Sequence, residues 1–334
     1  MKHSPTEKLI YHNYRDRAFT NDRCFLCGKT IKTSNHNEHI FPKWLQNNFK
    51  LWDEEIYLLN RTTIPYRNLK IPCCKTCNTI HLSRIEKIVH MNFMGGYKKF
   101  KNIDKSVLFA WLSKILYGML FKELFLPLDR KDFFNGNTIM EKEYFEKFDL
   151  FHLLMQCSRI EFKYQDRTPW SIFIFNAQVS KDIKKNFDYK DSLLDFVIYL
   201  RLKDIIIVAC LIDNNVNEKY FGDYFEPMTK IKLHPIQGIE IFSRVMYKMR
   251  LLNRTPKYIS IYGDKDITVV PLPFTGFSTK PMFDDWENET YAHVFSFHSN
   301  IPYDNVFHSK EKVYSWLHNE DNSIRIINDD EEFS

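Results

Sequence analysis

Glycine is scarce in this chain, nine of 334 residues, and proline is little commoner at 13. So few chain-breakers exclude a disordered or low-complexity chain, and 44% hydrophobic with 16% aromatic residues supports well-filled cores. A long hydrophobic run is missing as well. The most apolar stretch, 107–128, is broken by Lys114, Lys122 and Glu123. There Lys114, Gly118 and Lys122 recur at i, i+4 and i+8, a narrow polar stripe on an otherwise apolar helix. The pattern predicts a core or interdomain helix and no membrane span. The first 17 residues, MKHSPTEKLIYHNYRDR, lack the apolar region of a signal peptide, so the expected compartment is the reducing cytoplasm. No phosphate loop, nucleophile elbow or second metal cluster occurs in residues 105–334.

What is present is unevenly spread. The length predicts two domains. The net charge of +5 conceals a split: residues 1–100 hold 17 Lys and Arg against 8 Asp and Glu, and the remainder holds 30 against 34. A basic head on a slightly acidic body points to a polyanion partner for the head alone. Cysteine follows the same division. Five of seven, Cys24, Cys27, Cys73, Cys74 and Cys77, lie in the first 77 residues. Clustered cysteines in a reducing compartment point to metal rather than disulfides.

Three pieces of the head carry chemistry. Cys24-Phe-Leu-Cys27-Gly28 is a C-x-x-C knuckle whose glycine frees the backbone to turn toward thiolate. Glu38-His39-Ile40-Phe41-Pro42-Lys43-Trp44 follows, and then Asn68-Leu69-Lys70-Ile71-Pro72-Cys73-Cys74-Lys75-Thr76-Cys77-Asn78, running on to His81. Cys24, Cys27, Cys74 and Cys77 supply four thiolates, the donor set of a tetrahedral structural Zn²⁺ site. Cys73 could stand in for Cys74, although x2 spacing favours the latter. Lys43, Lys70 and Lys75 flank the histidine motif and are candidate DNA-phosphate contacts. Glu86 reads as the partner of a helix cation rather than as a metal ligand.

The order C-x-x-C, acid-His-Ile-x-Pro, Asn-Leu, C-x-x-C-Asn-x-x-His resembles the HNH endonucleases over residues 20–90. That resemblance implies a ββα-metal fold, a strand pair against one helix around a single catalytic ion. It makes His39 the general base, Glu38 the metal-binding acid, and Asn78 with His81 metal-facing groups on one helix face. Asn68 becomes the amide that holds the loop and orients the histidine. Mg²⁺ or Mn²⁺ is the implied catalytic ion, and double-stranded DNA the implied substrate. The chain departs from the family in having Glu38 where Asp is commoner and no Gly-rich turn between Trp44 and Asn68.

The expected class is therefore α+β: an N-terminal HNH domain with structural zinc over residues 1–100, then residues 101–334 as a helical connection and a larger α+β domain with antiparallel hairpins. In that second part, 158–164, 171–178, 258–262 and 267–270 read as strands, 196–200 with 205–212 as a hairpin, 236–252 as a helix, and 328–332 (NDDEE) as an acidic tail. Sensing, partner binding or homo-oligomerisation is its expected duty. HNH domains joined to larger unfamiliar domains resemble bacterial effectors that restrict phage DNA, for which an ATPase is the kind of partner expected. The competing reading is a zinc-stabilised nucleic-acid-binding module without catalysis.

Overall fold

The computed structural model describes residues 4–12, 20–31, 37–129, 136–140, 148–272, 274 and 279–328. In chain order the main elements are β1 (Asn37–His39), α1 (Lys43–Asn48), β2 (Glu55–Tyr57), β3 (Thr63–Pro65), β4 (Lys70–Pro72), a π-helical segment (Cys77–Leu82) leading into α2 (Ser83–Met94), α3 (Gly96–Phe100) and α4 (Lys105–Glu123). Next come α5 (Asp149–Met155), β5 (Glu161–Tyr164), β6 (Ser171–Ala177), β7 (Phe187–Ser192), β8 (Val197–Leu202), β9 (Ile205–Cys210) and α6 (Val216–Phe225). The chain ends with β10 (Lys232–Leu233), α7 (Pro235–Arg250), β11 (Tyr258–Tyr262), β12 (Asp266–Pro271) and α8 (Asn288–Ser299). The class is α+β, as the segregated patterns indicated. The acidic tail beyond Asn328 lies outside the described residues, and no described helix is long and apolar enough to cross a membrane.

The chain packs as two compact units. The first comprises Met1–Met94, Ile103–Lys163 and Ser260–Val269; the second comprises Gly95–Asn102, Tyr164–Ile259 and Val270–Ser334. The long helix α4 thus belongs to the first unit, where the sequence had placed it after a boundary at residue 100.

In the first unit β1 pairs antiparallel with β4, Glu38 opposite Ile71 and His39 opposite Lys70. The chain between these strands returns through α1 and a second antiparallel pair, β2 with β3, where the family pattern would have a short glycine turn. Every residue of α4 from Leu108 to Phe121 is buried. Its expected polar stripe is the face that receives the strand pair: a Cβ on Gly118 would lie 2.9 Å from Ile40 Cγ1 and 3.4 Å from Ile71 Cδ1. Glycine is needed there because helix backbone and strand side chains meet directly.

In the second unit a five-stranded sheet has the order β10-β6-β9-β8-β7, antiparallel throughout except where β10 joins β6 in parallel. The β8–β9 hairpin turns at Lys203-Asp204, with Lys203 at φ 57°, between the two segments 196–200 and 205–212 that the sequence pattern pairs. Strands β8 and β9 are buried at every position, as near-continuous apolar runs require. Their inner face packs with Phe242, Val245 and Met246 of α7 and Tyr291 and Phe295 of α8 in one core. Within that unit Glu240, fully buried, accepts from Arg244, Ser315 and the Trp316 amide, which satisfies its charge.

Candidate metal centre and histidine site

The first knuckle is a tight turn: the Cys24 amide donates to Lys29 O (2.9 Å) and the Gly28 amide to Cys24 O (2.9 Å). Gly28 sits at φ +70°, and a side chain there would run into the ring of Tyr11, 2.3 Å from a Cβ. The Phe25 amide donates to Pro72 O at 2.9 Å, which sets this turn against the end of β4. The second knuckle begins two residues later. There the Cys77 amide donates to Cys74 Sγ (3.5 Å) and the Asn78 amide to Cys74 O (3.0 Å).

The sulfurs of Cys24, Cys27, Cys74 and Cys77 consequently lie within 4.8 Å of one another. Cys27 and Cys74 are 3.7 Å apart, close to the edge of about 3.8 Å that a tetrahedron with Zn–S bonds of ~2.3 Å requires. The group can hold one metal ion such as zinc, and Cys74, not Cys73, completes it. Its electrostatics ask for a cation. Thiol hydrogen bonds, first from Cys27, hold Cys24 well below the ordinary thiol range, whereas Cys27 is pushed up to about 12, first by its hydrogen bond with Cys24. Metal ligation requires thiolates, so an ion bound there would displace the thiol protons. Arg159 feels all four sulfurs; its Nη2 donates to Gln156 Oε1 (2.6 Å), while its buried Nε has no partner among the described residues.

His39 ends β1. Burial, then Lys70 and Lys43, push its imidazole down to about 4, so at neutral pH the ring is an uncharged base. Its ring neighbours are Trp52, at 5.8 Å between centroids, and Gln46, whose Nε2 is 3.4 Å from Nδ1. The same Nε2 donates to Phe41 O at 2.7 Å, which identifies the atom as nitrogen. At 3.4 Å the contact with the His39 ring is the longer and weaker of the two.

Three of the expected site residues have surroundings that the resemblance did not imply. Glu38 does not face an open ion site. Its Oε1 lies 2.7 Å from Nζ of Lys114, which also donates to Glu86 Oε1 (2.7 Å) and to the backbone carbonyl of His39 (2.7 Å). All three ammonium hydrogens are used, as a fully buried lysine demands. Burial opposes the Lys114 charge, and the two carboxylates more than offset it, holding the group above the usual lysine range. Glu86 does pair with a cation, as expected, but with one on another helix. Burial, ahead of the opposing pull of Lys114, lifts Glu86 to about 7.

His81 is the second. The charges it feels are those of Arg159 and Arg84, and burial leads the downward shift of its pKa. The segment carrying it is π-wound, so the i, i+3 relation to Asn78 does not stack the two side chains as in an α-helix. Asn78 itself returns to the strand, its Nδ2 donating to Asn37 O at 3.2 Å. Asn68 is the third. It is exposed on the turn before β4, and the loop is closed by backbone bonds, Ile40 N to Leu69 O (2.9 Å) among them. The amide beside His39 belongs to Gln46, which α1 carries back to the strand.

Lys43 and Lys75 are exposed and Lys70 half-buried. Among the described residues no group of three or more His, Cys, Asp or Glu other than the four cysteines comes together. Of the residues expected around a catalytic ion, Glu38 is neutralised from within the fold and His81 feels the charges of Arg159 and Arg84. Lys114, Gln46, Trp52 and Arg159 were not among the residues expected to serve the site. Only the i, i+4 spacing of Lys114 and Gly118 on an apolar helix signalled any of them. Set against protein-family models, curated proteins and solved structures, the chain matches none.

Proposed function

We propose that the first unit is an HNH-type DNA endonuclease in which His39 is the general base. The observation that carries this reading is the assembly of three sequence-distant pieces. Glu38-His39 on β1, Lys70 on the paired β4, and Asn78 at the head of the helical segment, bonded to Asn37 O, meet in strand-strand-helix order. An imidazole that is uncharged at neutral pH is in the form that accepts a proton from water. Attack of that water on phosphorus breaks the bond to the 3′ oxygen, which takes up a proton and leaves a 3′-hydroxyl and a 5′-phosphate. Lys70 and Lys43, whose charges reach His39, are placed to neutralise the phosphate as it gathers charge. A divalent ion, when bound, would stabilise the same oxygens; Glu38 would first have to leave Lys114, so no step is assigned to it. Restriction of invading DNA, controlled by the second unit, is the setting proposed for this activity.

The internal neutralisation of Glu38 by Lys114 favours a second reading, a metal-stabilised nucleic-acid-binding module without catalysis. Purified full-length protein incubated with supercoiled plasmid in Mg²⁺ or Mn²⁺ separates the two. The nuclease reading expects nicked or linear product that His39→Ala loses by at least a hundredfold. Cleavage that survives His39→Ala, or binding with no cleavage in any metal, overturns it.

A further inference from the structure

Two tryptophans of the first unit are used in opposite ways. Trp44 lies in an aromatic core, 4.6 Å from the His90 ring, 5.3 Å from Phe93 and 6.2 Å from Trp111. Trp52 is 40% exposed and has one ring neighbour, His39. Its indole N–H makes no hydrogen bond to the described residues. Its backbone is nevertheless pinned: the Trp52 carbonyl accepts from the Arg67 amide at 3.4 Å, and on either side the Leu51 amide donates to Gln46 O (2.8 Å) and the Glu54 amide to Leu51 O (3.0 Å). A single exposed aromatic is ordinary. A backbone-pinned indole against the imidazole of a candidate base, which itself feels the charges of Lys70 and Lys43, is a placed one.

We propose that Trp52 is a stacking site for an unpaired nucleobase of single-stranded DNA, adjacent to the phosphate that His39 serves. The inference rests on the nuclease reading and departs from the duplex substrate that the family resemblance implied. A nucleotide carries base and phosphate on one sugar, so a ring 5.8 Å from the His39 imidazole is within reach of the base whose phosphate lies at that histidine. Inside a duplex both faces of a base are covered by its neighbours. Only a base in a single strand, or one turned out of the stack, offers a face to an indole. The insert that supplies Trp52 also presents Tyr57, 75% exposed on β2, a second ring for a following base. The lysines supply the sequence-independent attraction for the backbone, and the rings select a strand whose bases are open.

The experiment uses the full chain carrying His39→Ala, so that binding is read without cleavage, and fluorescein-labelled 12-nucleotide single-stranded DNA, the same sequence as duplex, and the same sequence as RNA. Anisotropy titrations should show the DNA single strand bound more tightly than the duplex. Adding Trp52→Ala should weaken single-strand binding about tenfold or more without changing the salt slope, and Trp52→Phe should restore most of it. Lys70→Ala should instead lower the salt slope by about one ion. Duplex bound as tightly as single strand, no loss in Trp52→Ala, or preference for the RNA strand would each overturn the assignment while leaving nuclease activity on plasmid intact. Failure to bind any of the three nucleic acids would remove both readings together.

Discussion

Two anionic clusters sit a few residues apart in the first unit, and they are neutralised in opposite ways. At Cys24, Cys27, Cys74 and Cys77, four sulfurs lie within 4.8 Å with no cation of the described residues bonded among them. At Glu38 and Glu86, two carboxylates share one ammonium, which arrives on α4 at 2.7 Å from each. The first cluster can take an ion from solution, and such binding would couple its stability to metal concentration. The second carries its own counter-ion and depends on correct packing of a helix. Proximity of acidic groups alone does not make a metal site; the decisive matter is whether the fold already satisfies them.

Removing the external cation should have the largest effect. Stripping metal with a chelator, or Cys24→Ser or Cys77→Ser, should abolish a metal content of one ion per chain and unfold the knuckles, because structural zinc contributes on the order of 10 kcal/mol to such small sites; elemental analysis with circular dichroism reads both. Loss of metal without loss of structure would break the comparison at its first term.

Removing the internal cation comes next. Lys114→Met leaves buried carboxylates unpaired and should cost about 3–5 kcal/mol in urea unfolding. The triple variant Lys114→Met with Glu38→Gln and Glu86→Gln should recover most of that, since charges deleted together leave nothing uncompensated. Should the triple variant be no better than the single one, packing rather than charge would explain the loss.

A smaller effect appears in pH dependence. Glu86, raised from 4.5 to about 7, contributes stability that is full below 4.5 and is lost as pH rises through 7. His39 and His152, both lowered from 6.5 to about 4 mainly by burial, act oppositely, contributing fully above 6.5 and losing it as pH falls through 4. Glu86→Gln should abolish the decline toward pH 7 and leave a rise from 4 to 6.5 that levels above it. Unfolding midpoints measured from pH 4 to 8 test the sign.

The smallest contrast separates two amides. Gln46→Ala loses the bond to Phe41 O in a buried setting and should cost about 1–3 kcal/mol, with a displaced His39 titration by NMR. Asn68→Ala, at an exposed turn, should fall within about 0.5 kcal/mol. Equal effects would restore the Asn68 role that the family resemblance implied.

Much of the fold was legible where a pattern is local. The Cys-x-x-Cys spacings, the glycine at φ +70°, the alternating strands of 171–177 and 258–262, the hairpin turn at 203–204 and the apolar helix 105–123 follow from steric and burial rules acting over a few residues. Strand β7 and helix α8 were not read, because neither has a strong period: β7 is half-buried at every position, and α8 mixes His, Ser and Asn with its aromatics. The π winding of Cys77–Leu82 also escaped, since a widened turn leaves no residue signature distinct from an α-helix.

The sequence by itself determined that four cysteines supply the donor set for one ion, because ligand type and spacing are properties of short segments; an acid-histidine pair on a strand was what the family resemblance implied. Only the tertiary structure decided which charges meet. Lys114 is 76 residues from Glu38 and 28 from Glu86, and Gln46 rather than Asn68 faces His39 because a helix inserted between two paired strands carries it back. Such neutralisation depends on packing across the unit, and a buried ammonium must take whichever acceptors that packing brings within reach.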